Sequence, residues 1–431
     1  MQDLWPAPTA DGPVDAVVTV PGSKSVTNRA LVLAALSEGR STIRDPLMAR
    51  DTLLMAQALA ALGVRVSTEG ADWQVGPGPL RGPARVDVGL AGTVMRFVPP
   101  VATLVTGPVE FDGDPRARER PLAPLLVGLR QLGASIDDGG RGGMPLTVHG
   151  WGRLRGGSAT IDASGSSQFV SGLLLAAPRF DEGLLLRHVG PPVPSALQLA
   201  MTVDMLQSAG AAVEAHPDGA GWTVKPGPLT ARDLAVPPDL STAAPFVAAA
   251  LVTGGRVRVP GWPRRSFQPG DQLPGLLAQM GARCELDDTG LTVTGSGLHG
   301  LTADLADASE LVPVLTALAT LADGPSTLRG IGHMRGQETD RLAALARELT
   351  ALGGSVTETA DGLRIVPRPL RGGVFHTYAD HRLAMAAAVL GLAVDGVLVE
   401  DVRTTGKTVP DFPARWNALL GRPDPTGEVP R

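Results

Sequence analysis

One cysteine, Cys284, in a chain of 431 residues excludes an internal disulfide and any cysteine-built zinc cluster, and it agrees with a reducing compartment. Aromatic side chains are 3% of the total and charged ones 19%, so the cores must be aliphatic. No apolar run reaches the length of a membrane span, and the opening MQDLWPAPTADGPVD has neither the basic nor the apolar segment of a secretory leader. A cytoplasmic protein without a membrane partner is the expectation. A net charge of −5 leaves no broad basic face for a phosphate backbone, which argues against a nucleic-acid partner and makes any anion site local. HExxH, P-loop and dinucleotide signatures are missing as well, so neither a metal nor a nucleotide cofactor is expected.

What the chain does have is repetition. Apolar helical phrases that end in glycine and pass into a short strand recur at Gly63, Gly133, Gly210, Gly281, Gly353 and Gly421, spaced by roughly 70 residues. Glycine there suits a left-handed cap before the chain turns into a strand. A second phrase, glycine followed by an alternating strand, keeps the same spacing from EGRSTIRD to DGVLVEDV. A third, a polar triplet opening an apolar helix, recurs around Ser25, Thr93, Ser167, Thr242, Glu310 and His381. Six α/β (α+β) units divide naturally into two domains of three. The proline-marked stretches TVPGSK and VPPDLS place the crossings, with 22–238 as an inserted domain. Residues 1–21 and 239–431 then form one discontinuous domain, completed by the lone strand DAVVTV.

The helix openings and neighbouring loops carry Lys24, Arg29, Arg120, Arg341, Arg382 and Lys407. Each taken alone reads as a solvated surface charge. Together, in a cleft between domains that also collects positive helix ends, they read as a trap for small molecules bearing several phosphate and carboxylate charges. Lys24 and Arg29 flank an N-cap-like Ser25, where cations are unfavourable unless an anion sits among them. Ser166, Ser167 and Gln168 read as an N-cap cluster or as phosphate ligands, and Gly92 as a turn or as a close approach for a ligand. Pro99 and Pro100 are expected to end or kink their helix early, and Arg96 reads as structural. Glu310, Glu338 and His381 are capping groups or, beside so many cations, acid/base groups.

The set GSKSxTNRA, AGTxMR, GDxxxRxRP, GSSQF, ETDR, DHR and GKTxPDF, in this order over nearly the whole chain, resembles the 5-enolpyruvylshikimate 3-phosphate synthase family of enolpyruvyl transferases. The resemblance implies two domains of three βαβαββ units with the active site in the interdomain cleft. It also implies transfer of the enolpyruvyl group of phosphoenolpyruvate to the 5-hydroxyl of shikimate 3-phosphate, through a tetrahedral intermediate, in aromatic amino-acid biosynthesis. By the same resemblance Lys24, Ser25, Arg29, Ser166, Ser167 and Gln168 would hold shikimate 3-phosphate. Lys24, Gly92, Arg120, Gln168, Arg341, Arg382 and Lys407 would surround phosphoenolpyruvate, with His381 at the same helix start. Glu310 stands at the position of the base for the 5-hydroxyl, Glu338 would protonate the methylene, and Lys24 is expected to be catalytic beside them. Ser195 is the substrate hydroxyl expected from VGPPVPSAL, which lacks the usual Lys-Pro-Tyr. Leu90, Phe97 and Gln337 depart from the family pattern of Asn, Pro and a cation, so the shape near phosphoenolpyruvate and the contact of Gln337 with shikimate are expected to differ. The sister family acting on UDP-N-acetylglucosamine has Asn after the early Lys and a reactive Cys in the arginine-rich loop, whereas this chain has Ser25 and no cysteine there. A monomer acting on two small anions, with no cofactor, is the resulting expectation; a non-catalytic repeat scaffold would need a basic surface that the charge balance does not supply.

Overall fold

Gly63, Gly133, Gly210, Gly281, Gly353 and Gly421 all have positive φ, and each follows the last turn of a helix. At the first of them Gly63 N donates to Ala60 O and Val64 N to Leu59 O, a paired closure that only a left-handed residue permits without strain. The computed structural model describes residues 3–423, and the chain divides into two units, Gly22–Val236 and Met1–Pro21 with Pro237–Arg431.

Five four-stranded sheets share one pairing scheme. In each, a parallel pair is followed by two antiparallel neighbours, as in Ala84–Asp87, Thr106–Asp112, Leu146–Trp151 and Ser135–Asp137. The Gly22–Val236 unit holds three of these sheets. One of them is closed by the short strand Leu234–Ala235, which returns to pair parallel with Ser41–Arg44. In the other unit Asp15–Val17 pairs parallel with Arg256–Pro260, and Leu4–Pro6 pairs antiparallel with Val397–Glu400, in the three-stranded sheet. The N-terminal segment thus lends strands to two sheets whose other members lie far along the chain.

Inside each unit three helices pack on one another: Lys24–Leu36, Gly92–Ala102 and Ser167–Ala176 in one, and Ala244–Thr253, Val312–Leu321 and His381–Gly391 in the other. They are apolar nearly all round and rich in alanine and glycine, so they can be enclosed on every side and approach closely. Pro99 and Pro100 do not end their helix, which runs through both to Ala102. Pro100 removes the N–H that would have bonded the Arg96 carbonyl. That oxygen is covered instead by Gly172, where a Cβ would lie 2.2 Å from it. Close packing of the two buried helices at this point accompanies a helix that the prolines do not break.

Candidate functional site

In the Gly22–Val236 unit the three inner helices meet near their first turns. Asn28 Nδ2 donates to Thr93 Oγ1 at 2.6 Å, and Arg29 reaches Ser171 Oγ at 3.5 Å, so the positive ends of three helix dipoles lie together. Ser23, not Ser25, caps the first helix, its Oγ accepting from Val26 N. The reason is positional: Ser25 already has helical backbone, which frees its hydroxyl, and Gln198 Nε2 donates to that hydroxyl at 3.5 Å. Lys24, half-buried, lies 3.7 Å from Asp51, a carboxylate only 1% exposed at the start of helix Arg50–Ala61.

Arg29 is enclosed. Its Nε donates to Thr202 Oγ1 at 2.8 Å, and the other nitrogens donate to the carbonyls of Ser25 and Gln198. Its guanidinium lies 5.3 Å from the centre of the Phe97 ring. The aromatic residue that departs from the family pattern therefore faces Arg29. A second guanidinium, Arg96, bonds the carbonyls of Gly92 and Pro121 and lies over Phe169.

Arg120 is the residue of the arginine-rich loop that turns inward. Arg118 instead forms two bonds to Asp112 on the exposed side. Arg120 donates to the Leu90 carbonyl at 3.2 Å, and its buried Nε has no hydrogen-bond partner among the described residues. The acceptor is a backbone oxygen, so this bond does not depend on the side chain at position 90. A Cβ on Gly92 would lie 3.0 Å from both Arg120 and Arg96, so a side chain there would push the two guanidinium groups away from this helix start. Ser166 caps the third helix, with Ser167 and Gln168 in its first turn. Ser195, at φ +57, precedes the helix Ala196–Ser208 that presents Gln198 and Thr202 to Arg29.

The other unit holds the second group. Arg341, 2% exposed, donates to Asp380 through Nε (2.7 Å) and an NH2 group (3.2 Å), to Glu338 at 2.7 Å and to the Gln337 amide oxygen. Lys407 donates to the other oxygen of Glu338 at 2.6 Å. Glu338 lies outside the helix rather than in its first turn; Asp340 caps Arg341–Ala351, and this leaves Glu338 free to bridge two cations. Asp380 also caps His381–Gly391, accepting from Arg382 N, while Arg382 donates to the Glu310 carbonyl at 2.9 Å. Glu310 sits in the turn Ser309–Leu311 that leads into Val312–Leu321.

Burial alone would lower the pKa of Arg341, but the charges of Asp380 and Glu338 hold it above its ordinary range. Arg382 is pushed below its own, first by burial and then by the charge of Arg341 beside it. Two cations so close raise the cost of each other and lower it for an anion. His333, in the turn Gly332–Gly336, is depressed by burial against the pull of Glu310, and its Nε2 has no partner among the described residues.

Beside the cations and carboxylates singled out in the sequence, the structure brings Asp51, Phe97, Ser171, Thr202, Gln198, His333 and Asp380 into the two groups. Asp380 had a legible signal, an acid directly before two cations at a helix start. The others are ordinary core or turn residues in the sequence. Among the described residues no group of three or more His, Cys, Asp and Glu side chains is arranged to hold a metal, and no helix is long and apolar enough to cross a membrane.

Repeated small sheets wrapped on buried helices, with helix starts and guanidinium groups gathered in each unit, make a two-unit α/β protein whose charge placement suits small polyanions. The comparisons make the class particular. Residues 8–416 match the model of the EPSP synthase (3-phosphoshikimate 1-carboxyvinyltransferase) family, and the chain belongs to that family. It is 54% identical, over 97% of both chains, to a curated 3-phosphoshikimate 1-carboxyvinyltransferase of Kocuria rhizophila. It also resembles two solved structures of EPSP synthase from Acinetobacter baumannii. One matches with a TM-score of 0.81 at 26% identity over 98% of each chain. The other matches with a TM-score of 0.78 at 25% identity, covering 96% of this chain and 97% of the other.

Proposed function

We propose that the two groups of side chains serve one reaction, the first holding shikimate 3-phosphate and the second, with Arg120 and Lys24, holding phosphoenolpyruvate. Membership of the family makes this chain an enzyme of the shikimate pathway that transfers the enolpyruvyl group of phosphoenolpyruvate to the 5-hydroxyl of shikimate 3-phosphate and releases phosphate. The assignment of residues rests on one observation above all: Arg29, Arg120, Arg341 and Arg382 are drawn in among helix starts, where their charges and the positive dipole ends together favour bound anions.

Glu310 accepts the proton of the 5-hydroxyl as its oxygen attacks C2 of phosphoenolpyruvate, and Glu338 delivers a proton to the methylene carbon. Lys407, hydrogen-bonded to Glu338, is the adjacent proton source. The tetrahedral adduct then breaks its C–O bond to phosphate, and the new methyl group loses a proton to restore the double bond. Ser166, Ser167 and Gln168 fit the phosphate of the acceptor, because a helix start with two hydroxyls offers several donors to one anion. Ser195 and Gln337 complete the acceptor side, and Gly92, Gln168 and His381 the phosphoenolpyruvate side. A cytoplasmic monomer without a cofactor belongs to the same reading, supported by two small charged substrates and by the absence of a membrane-length apolar helix among the described residues.

The test is a split of Michaelis constants in a phosphate-release assay. Arg120→Ala should raise KM for phosphoenolpyruvate about tenfold or more and Arg29→Ala that for shikimate 3-phosphate, as expected for a lost charge-assisted contact. Unchanged values in both, or activity with UDP-N-acetylglucosamine in place of shikimate 3-phosphate, would reject the assignment.

A further inference from the structure

Directly before Asp380 the backbone takes two successive left-handed residues that are not glycine, Tyr378 at φ +54 and Ala379 at φ +57. A residue with a Cβ occupies that region sparsely, a bulky one rarely, and such a turn persists only where its surroundings hold it. Tyr378 is the chain's single tyrosine, and its hydroxyl donates to Glu348 Oε1 at 2.5 Å. The other oxygen of Glu348, a residue only 2% exposed, accepts the N–H of His376 at 3.0 Å. Arg347 adds a bond to the tyrosine oxygen at 3.4 Å and lies 6.0 Å from the ring centre.

Glu348 and Arg341 belong to one helix, Arg341–Ala351, and two turns apart they share a face. That helix grips the strained turn at two points. Arg341 takes Asp380, while Glu348 takes Tyr378 and the backbone at His376. Between the two points lie the residues whose unfavourable backbone places Asp380 where it can cap His381–Gly391 and hold Arg341 together.

We propose that the Tyr378–Glu348 hydrogen bond is a latch that holds this turn in its strained form and thereby positions Arg341 and Arg382 for phosphoenolpyruvate. Tyr378 is a positioning residue that acts through Asp380. The inference rests on the assignment of those two arginines made above. It adds a role for a tyrosine–carboxylate pair outside the two groups of side chains assigned to the substrates.

The experiment uses the full-length enzyme and both Michaelis constants. Tyr378→Phe keeps the ring and deletes the latch; KM for phosphoenolpyruvate should rise about tenfold, the scale of one hydrogen bond to a charged group, with KM for shikimate 3-phosphate within about twofold. Adding Ala379→Gly removes one of the two Cβ atoms that make the turn unfavourable and should restore part of the loss. A merely structural tyrosine would lower Tm without this split and without rescue. Glu348→Gln, which keeps an acceptor but not its charge, should shift KM the same way by roughly threefold, and serves if the phenylalanine variant folds poorly. Both constants unchanged, both raised together, or no rescue by glycine would overturn the latch. Arg341→Ala separates the two layers. If it leaves KM for phosphoenolpyruvate unchanged, the site assignment fails; if it raises that KM while the Tyr378 and Glu348 variants do not, the latch alone fails.

Discussion

Asp380→Asn is the perturbation with the most direct consequence, because it removes one charge and almost no volume. Asp380 is fully buried and Arg341 is 2% exposed, so the asparagine would leave a buried guanidinium short of one of its two carboxylates. Breaking a buried ion pair by removing one partner costs about 3–5 kcal/mol. Glu338 stays on Arg341 at 2.7 Å, which puts the expectation near the lower end, about 3 kcal/mol. For a cooperative unit of about 200 residues, each kcal/mol moves the midpoint by roughly 2–4 °C, so the transition of this unit should fall by about 6–12 °C. The asparagine can still cap the helix by accepting from Arg382 N, as the aspartate does now. Asp380→Ala loses that as well and should drop a further ~1 kcal/mol. Scanning calorimetry resolves the unit that melts first, and urea titration gives the same difference without heating. An asparagine variant that melts within about 2 °C of the parent would refute the claim that this pair is a desolvated charge pair whose loss is felt across the unit.

Two other outcomes follow from the same geometry. Phe97→Leu removes the ring beneath Arg29; with a cation–π contact worth about 0.5–2 kcal/mol, KM for shikimate 3-phosphate should rise roughly 3- to 30-fold, and Phe97→Trp should not show the rise. Equal values for leucine and phenylalanine by phosphate release would mean that the ring is only core. The thiol of Cys284 is pushed up to about 11 by burial, so alkylation by iodoacetamide at pH 8 should run roughly a hundredfold slower than in the unfolded chain, whose thiol titrates near 8.5. Because the folded pKa is the higher one, the stability tied to this group is complete below about pH 8.5 and is lost as pH rises through about 11. Labelling at equal rates in folded and unfolded protein would contradict it.

The sequence by itself determined the elements whose causes are local. The glycine at each helix end, the alternating strands and the apolar inner helices each follow from backbone freedom, period and hydropathy within a dozen residues, and the structure has them at Gly63, at Thr106–Asp112 and at His381–Gly391. The cations and acids of the site were legible because charge is costly inside an apolar helix start and therefore conspicuous there. Only the tertiary structure decided which neighbours those charges keep. Nothing local pairs Arg29 with Thr202 and Phe97, brings Gly172 against the Arg96 carbonyl, or chooses Arg120 over Arg118 to turn inward. Nor does anything local reveal that Tyr378 and Ala379 are bent against their preference so that Asp380 can meet Arg341. Apart from the short-range pair of Arg118 with Asp112, these contacts join residues tens to more than a hundred positions apart. Their free energy exists only after the helices have packed, which is why they can overrule a proline, a cap or a dihedral preference that the chain states plainly on its own.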